Sequence, residues 1–340
     1  MLWFDNDYSE GAHEKVLQHL IDTNFESLAP YGADTYSESA REKIREACET
    51  PDADVFFLCG GTQTNKVLIT SLLHSYEGAI CAETGHINVH ESGAIEAGGH
   101  KVISLPHTSG KVDAEVLERY LLTYEADPTA EHMVRPGLLY ISQPTEYGTL
   151  YTAEELEDLS LVCRSHDLRL FVDGARLAYA LGAEGNDVTL PLLAKFCDAF
   201  YIGGTKAGAL CGEALVFPQG APHHYLSVIK QHGALFAKGR VAGVQFDALF
   251  TDGLYEEIGR NVNQMAALLK EKLVAKGYRT FMDSKTNQQF FILENTLLSK
   301  LWSEVNFSFW EAYDDEHSVV RFVTSFCTKE SDVEALAALL

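Results

Sequence analysis

Basic residues are scarce in this chain. Its 26 Lys and Arg are set against 49 Asp and Glu, a net charge of −23 over 340 residues. That balance argues against nucleic acid or an anionic membrane as partner, since both are held by a basic surface. Long apolar runs are missing too. No stretch reaches the roughly 18 residues a membrane span needs. The Met1-Leu2-Trp3-Phe4-Asp5 start has neither the basic n-region nor the apolar run of a signal peptide. The seven cysteines, Cys48, Cys59, Cys81, Cys163, Cys197, Cys211 and Cys327, are scattered without a CxxC pair. Their odd number and spacing fit reduced core thiols in a cytoplasmic protein better than disulfides or a zinc site. Internal repeats, low-complexity tracts and a GK[ST] phosphate loop are also absent.

What is present is enough apolar material, 46%, for a sizeable core. A chain of this length exceeds what one core usually holds, so a large domain over residues 1–250 and a small one over 251–340 are expected. Apolar strands end near Leu58, Ala82, Leu105, Ser142, Val172, Ile202 and Phe217, with helical patterns between most of them. This alternation predicts an α/β fold with a large, mostly parallel sheet. Helices are expected from Gly11 to Thr23, Ser37 to Glu49 and Gln63 to His74. Another should follow Glu91 and run to about Gly98. Asp113 to Tyr124, Ala153 to His166 (capped by Thr152 with Glu155 at the capping-box position) and a long stretch from Ala221 to Leu249 complete the large domain. After Tyr255 the texture changes. An amphipathic helix from Ile258 to Lys276, short strands at Phe290–Leu293, Phe307–Trp310 and Val319–Val323, and a last helix from Ser331 to Leu340 read as a small α+β domain.

Ligands of such sheets sit at the carboxyl ends of the strands. Five segments fall there. Cys59-Gly60-Gly61-Thr62 joins a strand to a helix, which is the layout of an anion cradle and also of an ordinary βα turn. His86 follows a strand, free to stack on a ring or act as acid or base, with His90 as a weaker candidate. Gln143 to Glu146 ends another strand. Asp173 follows the apolar run Leu170-Phe171-Val172, and a buried carboxylate there calls for a partner, either a pyridinium or Arg176. Lys206 stands in Gly203-Gly204-Thr205-Lys206-Ala207-Gly208-Ala209-Leu210, too apolar for a surface lysine. Desolvation would keep its amine neutral. An amine at one strand end and a carboxylate at the next are what pyridoxal 5'-phosphate requires: a lysine for its aldehyde and an acid for its ring nitrogen. Arg321, inside Val319-Val320-Arg321-Phe322-Val323, needs an anion, either a substrate carboxylate or an internal salt bridge.

These residues carry a family resemblance that spans nearly the whole chain. Phe171-Val172-Asp173-Gly174-Ala175-Arg176 resembles the HVDGAR segment of threonine aldolases, and Gly61-Thr62-Gln63-Thr64-Asn65 their GTQAN loop. His86-Ile87 with Glu91-Ser92-Gly93-Ala94 resembles their H-I/N…E-x-GA segment, Phe4-Asp5-Asn6-Asp7 their LRSDT, and Tyr31-Gly32-Ala33-Asp34 their YGDD. Ile141 to Glu146 and Val319 to Phe326 are similar to the ITQATE and VVRFVTSF stretches of the phenylserine aldolase type. The resemblance is to the threonine aldolase and β-eliminating lyase branch of the aspartate-aminotransferase-like fold, fold type I.

That resemblance implies a pyridoxal 5'-phosphate enzyme with Lys206 as the Schiff-base lysine and Asp173 as the partner of the ring nitrogen. Gly61 and Thr62 would hold the phosphate, His86 would stack on the ring, and Asn6, Arg176 and Arg321 would bind the substrate carboxylate. It also implies a homodimer or homotetramer with the site at the subunit interface, a neighbour contributing through Tyr31 or Lys230. The implied reaction is retro-aldol cleavage of a β-hydroxy-α-amino acid, such as threonine, allo-threonine or a phenylserine-like substrate, to glycine and an aldehyde. The alternative is β-elimination on the same cofactor. Two departures bear on the substrate. The second active-site histidine of the ENTHN segment is Thr145 here, and the serine of LRSDT is Asn6. The base that takes the β-hydroxyl proton is open between His86 and water, with Glu146 as a contributor.

Overall fold

The computed structural model describes residues 1–340. Its strands are β1 (Leu2–Trp3), β2 (Asp54–Leu58), β3 (Glu77–Ala82), β4 (Lys101–Leu105), β5 (Arg135–Ser142), β6 (Arg169–Asp173), β7 (Ala199–Gly203) and β8 (Glu213–Phe217), followed by β9 (Arg279–Thr280), β10 (Gln288–Glu294), β11 (Val305–Asn306), β12 (Ser308–Ala312) and β13 (His317–Val323). Seven of them form one sheet in the order β2-β8-β7-β6-β5-β3-β4. Strand β8 runs antiparallel to both its neighbours, and the other pairs are parallel. The near-continuous apolar runs of β3, β5, β6 and β7 follow from this, because helices cover both faces of a parallel sheet. The period of two is visible in the core. Ile141, Val172, Phe200 and Ile202 belong to one cluster, while Tyr140, Phe171 and Tyr201 belong to another on the opposite face.

Four strands after residue 278 form an antiparallel sheet in the order β12-β13-β10-β9. The helices Leu254–Ala275 and Glu330–Leu339 supply Leu269, Leu273, Val333 and Leu336 to its core. The amino terminus joins this unit. Strand β1 pairs in parallel with β11, and Phe4 lies fully buried in the same core, edge-on to Phe322. No helix is long and apolar enough to cross a membrane.

Most expected elements are present, and the Thr152–Glu155 capping box forms as read. Two helices are shorter than their patterns suggest. The stretch Ala221 to Leu249 divides into Tyr225–Gln231 and Arg240–Leu249. Gly233, at φ +69°, ends the first of these from just beyond its cap at His232, a left-handed stop that glycine accepts without strain. The helix expected after Glu91 is only a single turn at Glu96–Gly98, because Ser92 and Gly93 both take positive φ. Between β6 and β7 the chain forms two short helices, Leu177–Leu181 and Leu190–Phe196.

Candidate active site

The carboxyl ends of β5, β6 and β7 bring three polar side chains to one face of the sheet. Asp173, the last residue of β6, is 4% exposed. Its Oδ1 accepts from the Tyr201 hydroxyl at 2.5 Å and the Ala175 amide at 2.9 Å. Its Oδ2 accepts from the Tyr140 hydroxyl at 2.6 Å and Asn65 Nδ2 at 3.1 Å. Burial alone would raise its pKa. The His86 ring, the two tyrosine hydroxyls and the Ala175 amide outweigh that and hold the carboxyl below its usual range. Asp173 is therefore a carboxylate at neutral pH. The sequence left Arg176 open as its partner, but Arg176 goes elsewhere. Its Nε and Nη2 fork onto Asp7 at 2.8 and 2.9 Å. Asp7 is fully buried and also accepts from Asn287 Nδ2 at 2.9 Å.

Lys206 lines the same cavity as Asp173 and makes no salt bridge or hydrogen bond through its amine. Burial, and then the charge of Arg176, lower its pKa, against opposing pulls from Asp7, Asp173 and Glu213. The loop that presents it is tied down by Glu213, whose carboxylate accepts from the Gly204 amide at 3.1 Å and the Thr205 hydroxyl at 2.9 Å. Burial pushes the Glu213 carboxyl upward.

Gly61 and Thr62 open the helix Gly61–Leu72, and no side chain caps it. Its first amides are thus free to meet an anion, with the helix dipole behind them. A Cβ on Gly61 would lie 2.9 Å from the Tyr201 hydroxyl oxygen, so glycine is needed for this approach. Across the cavity, His86 begins the short helix His86–Val89. Its Nδ1 pairs with Glu91 Oε1 at 2.8 Å, and the same oxygen accepts from Asn65 Nδ2 at 2.7 Å. Asn65 thereby links Glu91 to Asp173.

Two connected cavities share His86, Glu146, Arg176 and Lys206. The smaller, about 130 Å³, is bounded by Gly61, Thr62 and Asp173. The larger, about 590 Å³, is walled by Tyr8, Tyr147, Phe309 and Trp310 and reaches Arg321. Arg321 donates to Gln288 Oε1 at 2.9 Å, to Ser308 Oγ at 3.2 Å and to the Asp5 carbonyl at 3.3 Å. Its guanidinium lies 5.3 Å from the Trp310 ring centre. No carboxylate pairs with it, and Nε is buried without a partner. The internal salt bridge weighed from the sequence does not form. Burial, then the charge of Arg176, bring its pKa down to about 10.

Two expected residues lie outside this cluster. Asn6 lines neither cavity. Its Oδ1 accepts from the Tyr8 amide and Ser9 hydroxyl, and its Nδ2 donates to Asp5. Tyr31, half exposed at φ +60°, has Lys230 Nζ 5.0 Å from its ring centre. His90 sits beside His86 and Trp310, with centroids at 5.6 and 6.4 Å. The sequence reading missed Asp7, Tyr140, Tyr201 and Glu213. Register holds the only signal for the tyrosines. Ser142 faces Asp173 across β5 and β6, so Tyr140, two residues back, points to the same face.

The residues present fit pyridoxal phosphate: a lowered carboxylate, an unpaired amine and an uncapped helix start surround one cavity. Comparison with known proteins identifies the family. A family model described as beta-eliminating lyase matches residues 13–296. A low specificity L-threonine aldolase of Pseudomonas sp. is 30% identical, covering 98% of this chain and 96% of its own. Among solved structures, a Leishmania major threonine aldolase superposes with a TM-score of 0.95 at 43% identity, covering 100% of this chain and 98% of that one. A Thermus thermophilus aspartate aminotransferase shares the fold, with a TM-score of 0.72 at 17% identity over 100% of this chain and 92% of that one.

Proposed function

The chain belongs to the threonine aldolase branch of the beta-eliminating lyase family and is a carbon–carbon lyase; from that premise we propose that it uses pyridoxal 5'-phosphate to cleave a β-hydroxy-α-amino acid to glycine and an aldehyde. The observation that carries this is the pairing of the Asp173 carboxylate with the unpaired, desolvated Lys206 amine around one cavity.

When bound, the cofactor supplies an electron sink for the bonding pair released at Cα. The chain's own groups do the rest. Lys206, kept short of protons, offers a nucleophilic amine. Asp173, fixed by four donors, would keep a proton on the ring nitrogen. Gly61 and Thr62, at the uncapped helix start, would hold the phosphate through their amides, and His86, steadied by Glu91, would stack on the ring. Arg321, with no carboxylate of its own, takes the substrate carboxylate. Arg176 assists through Nη1, since Asp7 uses its other nitrogens. The aromatic wall of Tyr8, Tyr147, Phe309 and Trp310 suits a side chain larger than that of threonine, so a phenylserine-like substrate should be preferred. Tyr31 and Lys230, outside the cavity, are offered to the site of a second subunit in a homodimer or homotetramer. The odd number and scattered spacing of the seven cysteines support a cytoplasmic location.

The test is a substrate screen of threonine, allo-threonine, phenylserine and serine with the cofactor added. Aldehyde plus glycine is expected. A 2-oxo acid plus ammonia would move the protein to β-elimination. Lys206→Ala should abolish cleavage and the visible absorbance band of the bound cofactor, and an unchanged band would show that another amine holds it.

A further inference from the structure

We propose that Glu146 is the group that takes the proton from the substrate β-hydroxyl, through its Oε2. The proposal rests on the cofactor-dependent cleavage read above and adds the residue that reading leaves open.

Elimination among the acids around the two cavities leads to it. Glu311 lines only the larger cavity, not the one that holds Asp173, and its carboxylate is engaged by the Tyr147 hydroxyl. Asp7 is engaged by Arg176 and Asn287, and Asp173 by four donors. Glu91 is sealed behind His86, its side chain without exposure, and Glu213 is consumed by the Gly204–Thr205 loop. Glu146 lines both the small cavity that holds Asp173 and the larger one that reaches Arg321. Lys206 lines both cavities and Arg321 the larger one, so Glu146 shares the wall along which an amino acid held by those two residues would lie. The carboxyl is aimed by one oxygen only. Glu146 Oε1 accepts from the His86 amide at 3.0 Å and the Ser142 hydroxyl at 2.7 Å, while no hydrogen bond engages Oε2. A half-fixed carboxyl with one free oxygen has the geometry of a general base.

Thr145, which stands where the related segment has a histidine, cannot take this role. It is 1% exposed. Its hydroxyl pairs with Thr149 Oγ1 at 2.6 Å and accepts from the Tyr147 amide. The ionisable group has in effect moved one residue along the chain. Burial raises the Glu146 pKa above the usual carboxylate value, and the Ser142 hydrogen bond, its own backbone amide and the His86 charge only partly offset this. The titratable groups around it are His86, Asp173, Cys81, Tyr140 and Tyr151 on the protein side and Tyr8, His90, Tyr147, Arg176, Tyr201, Lys206, Glu311 and Arg321 along the cavities. None forms a salt bridge with its carboxylate.

In the step, the β-hydroxyl O–H bond breaks and its proton passes to Oε2. The oxygen pair closes the C=O of the departing aldehyde, and the Cα–Cβ pair stays with the glycine fragment. Glycine itself has no β-hydroxyl, which separates the roles experimentally. Glu146→Gln should leave the cofactor absorbance band and the glycine dissociation constant unchanged. Exchange of the glycine α-hydrogen in deuterium oxide should also continue, while kcat for cleavage falls by about 10²- to 10⁴-fold and the acid limb of its pH profile disappears. Glu146→Asp should restore part of the rate. Cleavage by Glu146→Gln at the wild-type rate would overturn the proposal. So would a fall in glycine exchange parallel to the fall in cleavage, since that would mark a residue that only shapes the site. A wild-type protein that binds no pyridoxal phosphate would sink the cofactor reading and this proposal with it.

Discussion

Tyr201 gives its hydroxyl hydrogen to Asp173 from complete burial, so when that bond is removed no water replaces it. Tyr201→Phe should cost about 1.5–3 kcal/mol, the range for a hydrogen bond to a charged group, in chemical denaturation of the apoprotein. The sign of its pH dependence follows from the lowered Asp173 pKa. A carboxyl held down in the fold contributes stability above its unfolded pKa and loses it as pH falls through the folded one. Tyr201→Phe raises the folded pKa, so the variant should begin to lose stability at a higher pH than the wild type on acidification. Asp173, Lys206 and Arg321 were legible in the sequence because each is an ionisable group in apolar surroundings, where burial demands a reason. Tyr201 was not. A tyrosine in a strand packs equally well as plain core, and only the register that sets it beside Asp173 shows what its hydroxyl does. Asp7 lies in a polar run, and its burial depends on Arg176, which is 169 positions away.

At the scale of elements, what positions the site is where strands stop and helices start. The helix Gly61–Leu72 begins directly behind β2 without a capping side chain, whereas Ala153–Ser165 carries a full capping box. The contrast yields paired predictions. Gly61→Ala would bring a Cβ to 2.9 Å from the Tyr201 hydroxyl. That hydroxyl cannot swing away without leaving Asp173, so cofactor affinity should drop about tenfold or more, equivalent to about 1.4 kcal/mol, in a spectral titration. Thr152→Ala should cost about 1 kcal/mol of stability and leave that titration unchanged. Equal loss of affinity in both variants would mean that helix stability, not the shape of the cradle, governs binding. Strands were legible because a fully buried parallel sheet writes itself as apolar runs. The long helix expected after Ala221 was not, since the apolar spacing continues past Gly233 and only the positive φ there reveals the break.

Across the whole molecule, the first eight residues tie the two units together. Strand β1 completes a ladder with β11, the Phe4 carbonyl accepts from the Val323 amide at 2.7 Å, and Phe4 fills the small core. Asp7 then reaches Arg176, just beyond β6, and Asn287, just before β10. This places a buried ion pair at the junction of the large sheet and the small one, beside the cavity. A boundary near residue 250 divides the chain by texture, but the amino terminus packs with the carboxyl-terminal sheet. A strand of two residues carries too little periodicity to announce that. Asp7→Asn should be severe. It leaves the Arg176 guanidinium buried without its carboxylate, a loss of about 3–5 kcal/mol for a broken buried pair. Burial raises the Asp7 pKa, but Arg176, Lys206 and the hydrogen bonds more than reverse this. Its contribution is therefore present above the unfolded carboxylate pKa and disappears as pH falls through the lower folded one. The stability difference between wild type and Asp7→Asn should accordingly be largest near neutral pH and narrow on acidification. A constant difference across that window would mean that the asparagine disrupts packing alone, and that the Asp7–Arg176 charge pair adds nothing to the union of the two sheets.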